Sequence, residues 1–77
     1  MQKNQPYNGH KNWSHWNVSL WVSNDEMLYR LALDYKRRYK NSRIAAKKMI
    51  DENWLTRTPD GARYSIVALS AAICDLK

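Results

Sequence analysis

Apolar residues recur at steps of three and four through most of the chain, which is the spacing of helices that bury one face. The clearest such face consists of Leu28, Leu31, Ala32, Tyr35 and Tyr39. Asn24, followed by Asp25 and Glu26, supplies a capping side chain and negative charge for the first helical turn. We predict a helix that starts at this cap and ends before Asn41-Ser42, where two cap-forming residues interrupt the pattern ahead of the next helix.

Two further helices are predicted in the second half of the chain. The segment from Arg43 to Glu52 places basic residues on one side and apolar residues on the other, namely Ala45, Ala46, Met49 and Ile50. Ser65 is a suitable N-cap for the last helix. Its apolar stripe is formed by Ile66, Leu69, Ile73 and Leu76.

The segment from His15 to Val22 allows two interpretations. Trp16, Val18 and Leu20 alternate at period two, as in a strand, whereas Trp13, Trp16 and Leu20 also match helical spacing. Ser14 is a plausible N-cap. We favour a helix.

A turn separates the last two predicted helices. In Pro59-Asp60-Gly61, proline presets φ and glycine accepts a positive φ, which predicts a tight turn or short hairpin. Residues 1–12 contain Pro6 and Gly9 and show no periodicity, so we expect an irregular N-terminal arm. The predicted fold is therefore mainly α, with a small four-helix single domain over residues 13–77.

Composition narrows the class of protein. A chain of 77 residues makes one domain, and two Gly and two Pro are too few for a turn-rich β fold. Cys74 has no second cysteine to pair with, and we expect a small buried side chain in a protein that stays inside the cell. We see no secretory signal and no apolar stretch of the roughly 20 residues that a membrane span needs.

The aromatic residues divide into two expected groups. In a chain without Phe, we expect Trp13, Trp16 and Trp21 to build the core, since each buries a large area. The better candidates for a surface role are Tyr29, Tyr35, Tyr39 and Tyr64. Tyr29 lies off the apolar stripe beside Arg30, where it could stack at an interface or be an ordinary surface tyrosine.

Positive charge is concentrated in the middle of the chain. Of the net charge of +6, the segment from Arg30 to Lys48 carries eight basic residues against one acid. Such a segment is typical of a surface that faces nucleic acid or an acidic protein, although a solvated helix face gives the same pattern. The candidate binding residues are Tyr29, Arg30, Lys36, Arg37, Arg38, Lys40, Arg43, Lys47 and Lys48.

These residues have different expected roles. Arg37 and Arg38 offer planar forks for phosphate or carboxylate, while the lysines act as point charges that steer encounter. Arg43 stands at the start of a predicted helix, where the helix dipole disfavours a cation, so a role outside the fold is indicated.

No residue pattern indicates catalysis or metal binding. His10 and His15 have no Cys or carboxylate at a metal-ligand spacing from both, and Cys74 has no neighbouring His. The acid pairs Asp25-Glu26 and Asp51-Glu52 are adjacent residues that do not face each other on a helix. We expect a protein that is not an enzyme and has no cofactor.

The N-terminal region contains an ordered series of short motifs: Tyr7-Asn8-Gly9, Lys11-Asn12, Trp16-Asn17-Val18, Leu20-Trp21, Asn24-Asp25-Glu26 and Leu28-Tyr29. In these motifs the chain resembles a family of small uncharacterised proteins carried by phages and plasmids, with Met27 where a glycine is expected. The resemblance implies a mobile-element origin, hence the cytoplasm of a bacterial host. Proteins of this size and origin often act as stoichiometric accessories, including inhibitors of restriction or CRISPR defence.

A second series of positions runs through residues 43–76: Ala45-Ala46, Ile50, Glu52, Thr58-Pro59-Asp60-Gly61, Tyr64-Ser65, Val67, Leu69 and Ile73. In these positions the chain is similar to the DNA-binding helix-turn-helix segment of large serine recombinases. In such segments the second helix approaches the major groove. Here residues 65–77 contain no Arg, Asn or Gln and only Lys77 as a base-reading side chain, so this helix is better explained as core.

Two functions remain open from the sequence. The first is an accessory protein that blocks a host protein or ribonucleoprotein complex through its basic helical segment. The second is a small regulator or packaging accessory that binds DNA or RNA directly. Both predict that reversing Arg37, Arg38 and Lys40 to Glu weakens binding and leaves the fold intact.

Overall fold

The computed structural model describes residues 12–76, which form four helices. These are α1 (Trp13–Asn24), α2 (Glu26–Arg38), α3 (Ser42–Asn53) and α4 (Ile66–Cys74). Within this part of the chain the only β pairing is an isolated bridge, so the mainly α, four-helix prediction is confirmed. The strand alternative for residues 15–22 is wrong. The predicted arm over residues 1–12 lies, except for Asn12, outside the described residues.

α1 is longer at both ends than the sequence indicated, and α2 begins one residue later. The N-cap of α1 is Asn12, not Ser14, and its side chain accepts a 3.0 Å hydrogen bond from the His15 N–H. α1 then continues through Asn24, so the cap of α2 is Asp25 rather than Asn24. Asp25 serves both helices, because its N–H donates to the Trp21 carbonyl and its carboxylate accepts from the Leu28 N–H.

The caps of the other two helices are as predicted. Asn41 accepts hydrogen bonds from the backbone N–H groups of Arg43 and Ile44, and Ser65 accepts one from Ala68. Each bond satisfies a donor that the first helical turn leaves without a partner.

α4 is the centre of the fold and packs mainly on α1 and α3. Leu69 and Ile73 are fully buried, together with Val18, Val22 and Met49 from the surrounding helices. Much of the rest of the core is alanine: Ala32, Ala45, Ala46, Ala62, Ala68 and Ala72. Small side chains let the helices approach closely. The residues on the inner face of α4 are buried, so they cannot contact base edges.

This alanine-rich core overturns several burial predictions. Trp13 is exposed, and Trp16 and Trp21 are half-buried, because closely packed helices leave little room for indole rings inside. Tyr35 and Tyr64, which were expected at the surface, are buried instead. Tyr39 is half-buried against the core.

The ends of α4 also differ from the predicted stripe. Ile66 is more exposed than Leu69 and Ile73, and Leu76 is half-buried beyond the helix end. Cys74 is exposed, not buried. The reason is rotational, since Cys74 falls on the same side of the helix as the exposed Val67.

The predicted turn is a short hairpin between α3 and α4. The Gly61 N–H donates to the Thr58 carbonyl, and Thr58 and Ala62 are joined by a backbone bond of 2.8 Å. Gly61 has a φ of 98°, the positive value that the sequence predicted for it. One antiparallel bridge joins Arg57 to Arg63.

Candidate binding surfaces

Three of the nine candidate residues are in ion pairs along their own helices. Arg30 pairs with Glu26 at 2.8 Å, Arg38 with Asp34 at 3.1 Å, and Lys47 with Asp51 at 3.0 Å. All three pairs have i, i+4 spacing and are exposed, so solvent screening leaves each with only a small contribution to stability. Of the three paired carboxylates, Asp34 lies inside the segment from Arg30 to Lys48, and Glu26 and Asp51 lie just beyond its two ends.

Lys36 contributes to the fold. Its ammonium group donates to the backbone carbonyls of Cys74, at 3.4 Å, and Leu76. Carbonyls at a helix C-terminus lack partners and carry partial negative charge, which a lysine offsets. Lys36 therefore joins α2 to the end of α4, and Tyr29 is exposed on the same flank of α2.

Arg38 belongs to an aromatic cluster at the contact of α2 and α3. Its guanidinium carbon lies 4.5 Å from the centre of the Tyr35 ring and 5.8 Å from that of Tyr39. The Tyr35 hydroxyl donates to the Glu52 carboxylate and accepts from the Asn53 amide at 3.2 Å. The Glu52 hydrogen bond, followed by burial, raises the pKa of Tyr35. Arg38 thus contributes to packing.

The other four basic residues form no ion pair within residues 12–76. Arg37 lies at the end of α2, Lys40 in the connection, and Arg43 and Lys48 on α3, and all are exposed. Helical spacing puts Ile44 between Arg43 and Lys48 on the outer side of α3, where it is 50% exposed. We call Arg37, Lys40, Arg43, Ile44 and Lys48 the basic surface.

The helical segment that contains the basic surface is positively charged overall, although it also carries acidic residues. From Glu26 to Asp51 there are eight basic and three acidic residues, which leaves a net charge of +5. Arg43 is in the first turn of α3, where the helix dipole opposes its charge. Because its cations are unpaired and an isoleucine lies among them, this surface can bind an anionic partner that also offers apolar contact.

Sequence reasoning missed a second group of residues, Arg57, Arg63 and Trp54. Arg57 and Arg63 stand at equal distances from Asp60, so their pairing could have been found by folding the chain about the predicted turn. No pattern in the sequence marks Trp54 in this way; it merely follows Ile50, the last apolar residue of α3. It is the C-cap of α3, in the left-handed region at φ 54° and ψ 41°, and is 86% exposed.

The hairpin brings the two arginines side by side. Backbone bonds run from Tyr64 N–H to the Thr56 carbonyl and from Thr58 N–H to the Ala62 carbonyl. Arg57 and Arg63 are therefore a non-hydrogen-bonded antiparallel pair, in which Cα atoms approach to about 4.5 Å and side chains share a face. Beside them is a groove of about 290 Å³ lined by Ile50, Leu55, Thr56, Arg57, Arg63 and Tyr64.

The single carboxylate on the hairpin is directed away from these arginines. Asp60 accepts hydrogen bonds from Asn17 Nδ2 at 2.9 Å and Trp21 Nε1 at 3.0 Å, both on α1. These bonds, that of Asn17 first, lower the pKa of Asp60 below its usual value. Asn17, only 1% exposed, also accepts from the Thr58 hydroxyl at 2.6 Å. This network fixes the hairpin to α1.

Comparison with known families gives one result that covers nearly the whole chain. The model of DUF7249, a family of unknown function, matches residues 3–77. The chain belongs to the DUF7249 family. No curated protein and no solved structure shows a significant match to it.

The described part of this DUF7249 member contains neither a metal-binding cluster nor a membrane-spanning helix. Residues 12–76 bring together no three His, Cys, Asp or Glu side chains in a group that could hold a metal ion. His10 lies outside that range. None of the helices described here is long and apolar enough to cross a membrane.

Proposed function

We propose that this protein is a non-enzymatic accessory of a phage or plasmid that acts by binding, in fixed stoichiometry, to a bacterial defence complex of the CRISPR or restriction type. The basic surface is the part of the molecule that makes the contact. The observation that carries the proposal is the set of four exposed cations, Arg37, Lys40, Arg43 and Lys48, that have no ion pair within residues 12–76.

The N-terminal motifs support a phage or plasmid origin for the protein. The ordered run Trp16-Asn17-Val18, Leu20-Trp21 resembles proteins of mobile elements, which are found inside bacterial cells. Defence complexes must hold nucleic acid, so they present charged grooves and bound polyanions. A compact cationic protein can occupy such a groove or cover such a polyanion.

Two features favour a protein partner over a bare nucleic-acid backbone. Ile44, 50% exposed among the cations, can bury its side chain against a protein but gains little from a phosphate chain. The carboxylates of Glu26, Asp34 and Asp51 lie along the same helices and would repel successive phosphates. A protein with both acidic and apolar groups matches this mixture better.

Direct binding of DNA or RNA is the second candidate function. It is favoured by the net charge of +5 between Glu26 and Asp51. Four unpaired cations would neutralise about four phosphates, so the affinity would fall steeply with salt and depend little on base sequence.

Phage plating tests the first candidate. The protein is expressed in a host with an active CRISPR or restriction system, and the plating efficiency of a targeted phage is compared with that in a host lacking the system. We expect wild-type protein to raise plating only where the system is present, and to leave plating unchanged in the host that lacks the system. No rise with any of the CRISPR and restriction types tested would contradict the proposal.

Two charge-reversed variants locate the contact. Arg37→Glu/Lys40→Glu alters the basic surface, while Arg57→Glu/Arg63→Glu makes the same change of charge on the hairpin. All four side chains are exposed, so both variants should fold. We expect the first variant to lose the effect on plating and the second to retain it. An equal loss in both would show that net charge, and not this surface, is responsible.

A further inference from the structure

Arg57 and Arg63 are an unfavourable pair for the fold itself. Like charges directly opposite each other on neighbouring strands are destabilising. Arg57 donates to the Gly61 carbonyl at 3.0 Å, but neither arginine forms an ion pair within residues 12–76. The nearest acid on the hairpin, Asp60, is bound to α1. An anion placed between the two guanidinium groups would remove the repulsion.

Trp54 is equally unexplained by packing. A ring that is 86% exposed has both faces open to solvent and adds little to the core. Its left-handed backbone is a conformation that side chains other than Gly and Asn rarely adopt at a helix end. A large aromatic in an unfavourable backbone conformation, without burial, is typical of a residue retained for contact with a ligand.

The arginines and the tryptophan are close enough to contact one ligand. Trp54 precedes Arg57 by three residues, so their Cα atoms are at most about 11 Å apart. The groove lined by Leu55 and Tyr64 lies along the same segment. At about 3.4 Å per nucleotide in a stacked strand, two or three nucleotides cover this distance.

We propose that Trp54, Arg57 and Arg63, here called the hairpin site, bind single-stranded nucleic acid, with a phosphate between the arginines and a neighbouring base stacked on Trp54. The strand must be single because bases inside a duplex already stack on each other. The site lies outside the basic surface and goes beyond the proposed function, so either can fail without the other.

The chemistry of the pair favours phosphate over a peptide carboxylate. One guanidinium fork already satisfies both oxygens of a carboxylate in a bidentate contact. Two forks on one face suit a tetrahedral phosphate, whose two non-bridging oxygens point in different directions and can each accept from a different guanidinium. The flat, open indole face completes the match, because stacking of a base on an aromatic residue favours binding whichever base is present.

The test compares a fluorescent oligothymidylate of about 12 nucleotides with an abasic strand of equal length, by fluorescence anisotropy at about 50 mM salt. We expect Trp54→Gly to weaken binding of the oligothymidylate about tenfold and that of the abasic strand less than about twofold, since only the former has bases to stack. Arg57→Gln/Arg63→Gln should weaken both strands and reduce the slope of log K against log salt by about 1.4.

Arg37→Gln/Lys40→Gln is the matched control, because it removes the same charge elsewhere. In a protein that already carries Arg37→Gln/Lys40→Gln, Trp54→Gly should still weaken binding of the oligothymidylate about tenfold. The proposal is overturned if Trp54→Gly affects both strands alike or neither. It is also overturned if an oligoglutamate peptide displaces the oligothymidylate and itself loses affinity in Trp54→Gly, which would assign the site to an acidic protein segment.

Discussion

At the scale of single residues, the chain contains side chains that the fold does not need and others that it needs strongly. Trp54 and Arg63 are exposed, and neither belongs to the hydrophobic core. Asn17 and Thr58, in contrast, are buried polar residues whose hydrogen bonds are all satisfied. Exposed side chains outside the core are available for binding, whereas buried polar side chains with satisfied hydrogen bonds serve the structure.

Replacing Trp54 with Gly should stabilise the protein. Gly adopts the left-handed backbone of a helix C-cap without the steric cost that other residues incur. Removing the exposed indole ring loses little buried apolar area. We expect the free energy of unfolding in urea to rise by about 0.5–1 kcal/mol. A decrease would mean that the indole packs on the protein in solution.

Replacing Asn17 with Ala should destabilise the protein by about 2 kcal/mol. The change removes the acceptor of the Thr58 hydroxyl and a donor to Asp60, and it leaves a buried group unpaired. Asn24→Ala, at an exposed position of the same helix, is the control and should change stability by less than about 0.5 kcal/mol. Similar losses in both variants would contradict the role given to the network.

Asp60 should make stability depend on pH in the acid range. Its pKa is lowered in the folded state, so its contribution is fully present above the ordinary pKa of about 3.9 and is lost as the pH falls through the folded value. Thermal unfolding followed from pH 6 down to about pH 2 should show a smaller acid loss for Asp60→Asn than for wild type. Identical profiles would contradict this assignment.

At the scale of elements, periodicity and capping residues predicted most of the fold. The apolar faces of α2 and α3, the caps Asn41 and Ser65, and the turn at Gly61 are all confirmed. These features are local, since each depends on residues within one or two turns of one another.

What the sequence did not predict depends on contacts between distant residues. Whether a tryptophan is buried depends on how closely the helices approach, and the buried alanines of α2, α3 and α4 allow a close approach. The exposure of Cys74 depends on which side of α4 is covered. The pairing of Arg57 with Arg63 depends on the hairpin register. The ion pairs that separate Arg30 and Lys47 from the unpaired cations were readable from i, i+4 spacing.

The hairpin allows a direct test of the turn. At Gly61 a new methyl group would meet no atom within 4 Å, so Gly61→Ala costs only the strain of φ 98°. We expect a loss of about 1–2 kcal/mol in the free energy of unfolding, and a smaller loss for Gly61→Asn, which tolerates positive φ better. If urea unfolding shows no loss for the alanine variant, the turn differs from the one described.

At the scale of the whole molecule, the four helices separate a neutral core from two cationic surfaces. α4 occupies the interior, so α2, α3 and the hairpin carry the exposed cations. The basic surface lies where α2 joins α3, and the hairpin site follows the other end of α3. A protein with two separate cationic surfaces can contact a protein and a nucleic-acid strand of the same complex.

Capture of a purified defence complex on the tagged protein, with and without nuclease and at low and high salt, is the measurement that decides whether the basic surface binds a protein. We expect capture at fixed stoichiometry that survives nuclease, is reduced at least about tenfold in Arg37→Glu/Lys40→Glu and is retained in Arg57→Glu/Arg63→Glu. Capture that disappears with nuclease, or that the two variants reduce equally, would contradict the proposed function and leave a protein that binds nucleic acid by charge.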